Sequence, residues 1–485
     1  MNQPISLMLL IPLITAILFP FIKNEKFVKY LSFSVSVANL IISVLMLSDF
    51  QYGIINFEEK FLWISYFNIH YHVGVDMLSL LMVLLTNLTV SVSVLSSFNC
   101  IKKDIKKYYA WLLVLSSSII GVFVSLDAFL FYLFWEAMLI PMYFLIGIWG
   151  GENRIYATVK FFIYTMGASL IMLVGIIFTY INLKNNGINS FEILDFYKNT
   201  LMGKTQIFVF ISFLIAFAVK IPIFPFHTWL PDAHVEAPTA ASVILAGVLL
   251  KMGVYGYLRF MIPMFPNLSY AIAPYMAAVG VFGVIYASLM AWVQKDIKKL
   301  VAYSSVAHMG LIVLGIFSFE PKAVNGAILQ MINHGISTGG LFLMIGILYE
   351  RTHTRIMENY GGIFKTVPFI SSFFMIVTLS SIAVPSTNGF IGEITILLGS
   401  FKKYPILTII SVSGVILGAV YMLGAYEKMF FGEIKKENSN IPDLNNREWI
   451  YMSVIALLIF AIGLFPNPLI KLIDDFIRTY PFIRS

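Results

Sequence analysis

The stretch Phe217–Gly256, FAVKIPIFPFHTWLPDAHVEAPTAASVILAGVLLKMGVYG, decides how the rest of the 485-residue chain is read. Both of its ends are apolar enough for lipid, yet Lys220 and Lys251 each lie inside such an apolar run. Between them stand the prolines Pro222, Pro225, Pro231 and Pro238, the histidines His227 and His234, and the acids Asp232 and Glu236. A membrane helix tolerates proline and charge only where protein or water takes over from lipid. The stretch therefore predicts an interrupted element inside a bundle of membrane helices.

Outward from it, the composition agrees. The chain is 59% hydrophobic and 12% charged, with a mean hydropathy of +0.86, whereas an average soluble chain carries about 25% charged residues. Repeated apolar runs separated by short polar connectors predict an all-α polytopic membrane protein of about 14 transmembrane helices. A β-barrel would need apolar residues alternating over short segments, which the runs do not do. The single cysteine, Cys100, excludes an internal disulfide, an iron–sulfur cluster and a Cys-ligated zinc in this chain. Nucleotide fingerprints are absent from the sequence, and the net charge of +7 points to basic cytoplasmic loops rather than nucleic acid. The first apolar run lacks a basic leader and a cleavage site, so it reads as a retained span.

Lysines and arginines concentrate in the connectors that lie inside when the N-terminus is outside, which puts both termini on the outer face. The connectors 49–73, 184–205 and 431–448 have room for a short hairpin or helix at most. Residues 1–107 form three helices, 108–260 and 261–432 two five-helix units (helices 4–8 and 9–13), and 433–485 a C-terminal helix 14. An odd helix count inverts the second unit relative to the first, as in many transporters. Position supports the pairing: the seventh helix carries Lys220 beside a proline break, and the twelfth carries Glu393 just after the break VPSTNG (384–389).

The buried charges are the candidate functional residues. Glu136 lies about nine residues, roughly 14 Å, into the fifth helix, too deep to reach an interface. A neutral structural glutamate is the competing reading, but intramembrane acids usually mark ion paths. Lys220 and Lys251 sit at similar depth in successive helices, where two permanently locked lysines are hard to explain structurally. His308 and His334 fall near the middle of the tenth and eleventh helices, flanked by Ser, Thr and Asn. A lone buried histidine is commonly a satisfied core residue; two at one depth make a relay an even competitor. No third ligand at suitable spacing favours a metal. Glu393 lies near mid-membrane in the twelfth helix. His227 and His234 flank the cytoplasmic end of the seventh, where a role in proton entry competes with solvated-loop or capping roles. His70, His72 and His353 read as incidental, and Lys160 and Arg154 as headgroup anchors. The series Glu136, Lys220, Lys251, His308, His334, Glu393 suits lateral proton transfer better than a single midplane pocket.

The run KIPIFPFHTWLPDAHVEAPTAASVILAGVLLKMGVYG resembles the signature of the proton-translocating, antiporter-like subunits of respiratory complex I. So do HVGVDMLSL (72–80), FWEAMLIPMYF (134–144), QKDIKKLVAYSSVAHMG (294–310) and QMINHGISTGGLF (330–342). The resemblance runs from about residue 70 to 430. The acid in GFIGE (389–393) sets it with the M-type branch, because L- and N-type subunits and Mrp-type antiporter subunits usually carry lysine there. The resemblance implies that Glu136 pairs with Lys220, that Lys251 is the central lysine, that His308 and His334 link the halves, and that Glu393 is the terminal carrier. It implies no cofactor here, with FMN, iron–sulfur clusters and quinone in partner subunits. It further implies L-type and N-type neighbours in a bacterial inner membrane, with both termini periplasmic. Met77 and Ser386 depart from the family's usual Gly and Pro-Gly, away from every charged position. Two alternatives are an Mrp-type cation/proton antiporter and a structural spacer of the membrane arm.

Overall fold

A computed structural model describes residues 3–480. Among them, thirteen helices are long and apolar enough to cross a membrane. They are α1 (Pro4–Leu18), α2 (Glu25–Ser48), α3 (Met77–Cys100), α4 (Ile105–Val124), α5 (Ala128–Trp149), α6 (Arg154–Asn185), α7 (Gly203–Lys220), α8 (Thr239–Met264), α9 (Pro266–Trp292), α10 (Ile297–Phe317), α11 (Pro321–Thr352), α13 (Pro405–Phe430) and α14 (Asn446–Leu464). The remaining crossing, α12, is made of two pieces, Pro368–Ser381 and Asn388–Lys403. The connector after α2 folds into an antiparallel hairpin, β1 (Asn56–Ile64) and β2 (Ile69–Val75), within the room expected there.

Helix starts follow from local chemistry. Asn24, Asp76, Asp127, Asp296 and Asn445 each accept hydrogen bonds from backbone N–H groups of the first turn, satisfying donors a helix leaves unpaired. Prolines open α9, α11, α12 and α13, where the missing N–H costs nothing.

Two faces result. The hairpin face carries β1–β2 and the start of α1, tied together where Ile5 N and Ser6 N donate to Glu59 Oε1 at 3.0 and 3.2 Å. The opposite face, here the lysine face, carries Lys102, Lys103, Lys106 and Lys107 between α3 and α4. The region after α14 is not a simple tail: α15 (Asn467–Thr479) is an amphipathic helix on the hairpin face. Its buried side includes Ile473, Phe476 and Ile477, and Asp474 Oδ1 accepts from Asn325 Nδ2 of α11 at 2.6 Å.

The centre of the bundle is built from α8 and α11, whose most apolar windows are 100% buried, while that of α13 is 28% buried and faces outward. Backbone irregularities cluster there. The first piece of α7 ends at Lys220, and the chain turns through 221–228 before resuming as Trp229–Glu236. The α12 break at 382–387 holds Ala383 and Ser386 at positive φ. Both breaks fall where the prolines place them. Two further helices are irregular: α5 is interrupted at Met138, where Pro141 cannot bond the Ala137 carbonyl, and α8 widens into π-helical turns at Leu245–Leu249, with no proline beside it, and at Tyr257–Met261, just before Pro263.

Candidate functional site

Glu136 sits in the last turn before the α5 interruption. The hydroxyls of Ser169 and Tyr132 and the ammonium of Lys220 surround its carboxyl, and its Oε1 is buried without a hydrogen-bond partner. No Glu136–Lys220 ion pair within 4.0 Å occurs among the described residues. Lys220 instead directs Nζ at Met138 Sδ, 3.4 Å away, with the rings of Trp135 and Phe161 at 5.4 and 5.9 Å. The pair implied by the family resemblance is open, and the α5 interruption at Met138 supplies the thioether that occupies the lysine.

Beyond this gap the residues converge. Lys251 is fully buried, donates back to the Ala246 carbonyl in the wide turn of α8, and meets His334 Nδ1 at 2.7 Å. The rings of His334 and His308 lie 5.4 Å apart, centroid to centroid, and His308 Nδ1 meets Glu393 Oε1 at 3.0 Å. Four of the six candidates thus form one line, Lys251–His334–His308–Glu393, across α8, α11, α10 and α12. A cavity of ≈ 10 Å³ lies between the two histidines, lined by Asn333, Ser337 and Ser381 among others. That is about the space one water needs, and His334 Nε2, Asn333 Oδ1 and Ser381 Oγ have no other partner.

Sequence reasoning missed the polar supports of this line. Gln330 Nε2 donates to Glu393 Oε1 at 3.3 Å. Asn333 Nδ2 donates to the Asn388 carbonyl at 2.7 Å, and Ser337 reaches Asn388 Oδ1 at 3.2 Å, stitching the α12 break to α11. The signal was present: Gln330, Asn333, His334, Ser337 and Thr338 fall three and four apart, one polar stripe on an apolar helix.

His227 and His234 do not lie in a solvated loop. His227 is 3% exposed, stacked against Phe224 and beside Tyr286, while His234 is fully buried and stacked on Phe342 at 4.5 Å. Both ring nitrogens of His234 lack partners. Near it a cavity of ≈ 350 Å³ on the lysine face is lined by Glu236, Lys298, Glu350 and Arg355. Lys298 had escaped notice at a helix start; it is buried and donates to the Ala237 carbonyl.

Two further expectations change, for Lys160 and His72, and Arg259 joins the buried charges. Lys160 is no headgroup anchor, since it pairs with Asp232 at 2.7 Å. Arg259 pairs with Asp76 and donates to Tyr255 Oη at 3.1 Å inside the bundle. His72 is not incidental: its ring meets Glu58 Oε1 at 2.7 Å and also Glu192, which holds Lys60 at 2.9 Å. Burial pushes the His72 imidazole down, but the Glu192 and Glu58 carboxylates outweigh it and leave it above its ordinary range. Burial pushes Glu192 up, and the His72 and Lys60 contacts bring it below the usual carboxylate range.

A helical bundle with three interrupted helices, α5, α7 and α12, and a buried Lys/His/Glu line defines an antiporter-like membrane subunit. Residues 125–418 match the family described as NADH:quinone oxidoreductase/Mrp antiporter, TM. The chain is 44% identical over 479 residues to NADH-quinone oxidoreductase subunit M of Rickettsia prowazekii, covering 96% of each. It is 40% identical over 471 residues to NADH-ubiquinone oxidoreductase chain 4 of Chondrus crispus, covering 96% and 95%. Its fold superposes on a chain of respiratory complex I from Thermus thermophilus with a TM-score of 0.89 at 28% identity, covering 98% and 99%. A chain of the Mrp complex from a Dietzia species gives 0.86 at 20% identity, covering 99% and 98%, a likeness of fold. The chain belongs to the NADH:quinone oxidoreductase/Mrp antiporter family, among the M-type membrane-arm subunits of NADH-quinone oxidoreductase.

Proposed function

We propose that this chain itself carries protons across the membrane along Lys220, Lys251, His334, His308 and Glu393, with Glu136 switching the input. The observation that carries this reading is the Lys251–His334–His308–Glu393 line, with contacts of 2.7 and 3.0 Å at its ends and a one-water space between the two histidines. Imidazoles suit this task because each ring can accept a proton at one nitrogen and donate from the other. Lys220 loads from the lysine face while Glu136 is close, and hands over to Lys251 when Glu136 withdraws. The buried His227 and His234 lie on the entry side, with the lysine-face cavity beside Glu236 and Lys298.

The magnitudes suffice. A Glu–Lys contact at about 4 Å contributes ~4 kcal/mol at an effective dielectric constant near 20. Moving one proton against about 180 mV costs ~4 kcal/mol. One pair that opens and closes can therefore drive one proton, provided that something else opens it. That energy comes from partner subunits holding FMN, iron–sulfur clusters and quinone. The chain would lie between L-type and N-type neighbours in a bacterial inner membrane, the hairpin face and both termini periplasmic. A pure spacer is disfavoured by the unpartnered Glu136 Oε1, which a static pair would satisfy.

The test is Lys251→Ala in the assembled enzyme. NADH-driven pumping in inside-out vesicles should fall while NADH oxidation with a water-soluble acceptor stays normal. Full pumping stoichiometry would overturn the reading.

A further inference from the structure

Glu393 is not equally accessible from its two sides. Toward the hairpin face, α11 and α12 meet backbone to backbone. Gly326 lies against Thr395 and Ile396, and Gly399 against Ala323, with no room for a methyl group at either. That side is dry. On the other side lies a cavity of ≈ 20 Å³ lined by Glu393, His308, Ser288, Ser381, Ser411 and Tyr421. It exceeds the roughly 10–15 Å³ that one water requires, and it offers more than the two to four polar partners a buried water needs. Ser288 and Ser381 are 1% and 6% exposed; the Ser381 hydroxyl has no partner, and that of Ser288 has only the Tyr421 hydroxyl beside it. An unsatisfied buried hydroxyl costs about 1–3 kcal/mol, which a water in the cavity removes.

The lining runs along α13 from Ser411, on the hairpin side of Gly414, to Tyr421, on its lysine-face side. α9 and α13 run toward the lysine face and α10 away from it. Ser288 follows Val284, packed at Gly310 and Gly414, by one turn toward the lysine face. Ser304 precedes His308 by one turn in the same direction. Tyr421 lies further along α13, and helical side chains tilt toward the helix N-terminus. Its hydroxyl therefore points back toward Glu393 and comes beside Ser304 and Ser288.

We propose that Ser288, Ser381 and Tyr421 hold a water against Glu393 through which the carboxyl gains and loses its proton, while the close packing of α11 on α12 at Gly326 and Gly399 covers its hairpin-face side. This deepens the proton-carrier reading and rests on it. It makes Ser288 and Tyr421 positioning residues, holding the water that touches the carboxylate.

Valine and threonine have nearly the same shape, so Ser288→Val and Ser288→Thr separate the hydroxyl from the volume. In inside-out vesicles of the assembled enzyme, Ser288→Val should pump about tenfold more slowly, and Ser288→Thr near the unmodified rate. Both should oxidise NADH normally with a water-soluble acceptor. Tyr421→Phe should resemble Ser288→Val. Wild-type pumping by Ser288→Val, or equal losses in the valine and threonine variants, would overturn the water site. Glu393→Gln separates the two proposals: if it stops pumping while Ser288→Val does not, only the water site falls. If Glu393→Gln pumps fully, the carrier reading falls with it.

Discussion

The carboxyl of Glu136 has one oxygen without a partner, and Lys220 sits against a thioether rather than that carboxyl. A buried charge left this way is poised to move, because closing the pair would satisfy both groups. Glu136→Gln keeps the shape and removes the charge. Pumping by the assembled enzyme should be strongly impaired, and a vesicle assay beside an artificial-acceptor assay would separate this from failed assembly. At the other end, Gln330→Met removes the donor to Glu393 at nearly constant volume. A hydrogen bond to a charged group contributes about 1.5–3 kcal/mol, so pumping should slow by about tenfold or more.

At the scale of elements, interruptions place the chemistry. The α12 break is held by Asn388, buried and bonded both ways to Asn333. Asn388→Ala should destabilise this joint by about 1–3 kcal/mol, visible as faster proteolysis at 382–387 and a lower unfolding temperature of the purified complex. On the hairpin face, His72 and Glu192 tie β2 to the α6–α7 connector. The elevated His72 contributes stability fully present below its unfolded value near 6.5 and lost as pH rises through its folded value. The depressed Glu192 contributes stability present above its unfolded value near 4.5 and lost as pH falls through its folded value. Hairpin amides should thus exchange with deuterium slowly in mildly acidic medium. After correction for intrinsic rates, protection should drop as the pH rises above 6.5 through the raised His72 value. A flat profile in His72→Gln would confirm the assignment.

For the whole molecule, the sequence made the membrane bundle legible because lipid imposes length and apolarity on every crossing. It made the breaks at Pro222 and Pro385 legible because proline acts locally. It also placed Lys251, His308, His334 and Glu393 at one depth, since depth follows from counting residues along a helix. Which of them touch was not legible, because rotation about each helix axis is set by packing. The π-helical turn at Leu245–Leu249 and the separation of Glu136 from Lys220 depend on partners distant in sequence, whereas Pro141 was the local signal of the α5 interruption. The Arg259–Asp76 pair was not legible either, because its partners lie far apart along the chain. The absence of a redox centre among this chain's own motifs gives the last test. Purified from its native membrane through an affinity tag, the protein should bring down FMN and iron–sulfur absorbance. A stand-alone antiporter would come down colourless.

The contact of α11 with α12 at Gly326 and Gly399 also has an electrical consequence. Membrane voltage falls mainly across insulating matter, and water-filled regions conduct it nearly unchanged. With Glu393 wetted on one side and covered on the other, much of the potential would drop over the packed stretch of α11 and α12 between Glu393 and the hairpin face, roughly 15 Å at 1.5 Å per residue. A proton crossing there would perform much of the electrical work, ~2.3 kcal/mol per 100 mV. Voltage sensitivity should accordingly reside in the opening of two helices rather than in the long lateral transfer that precedes it.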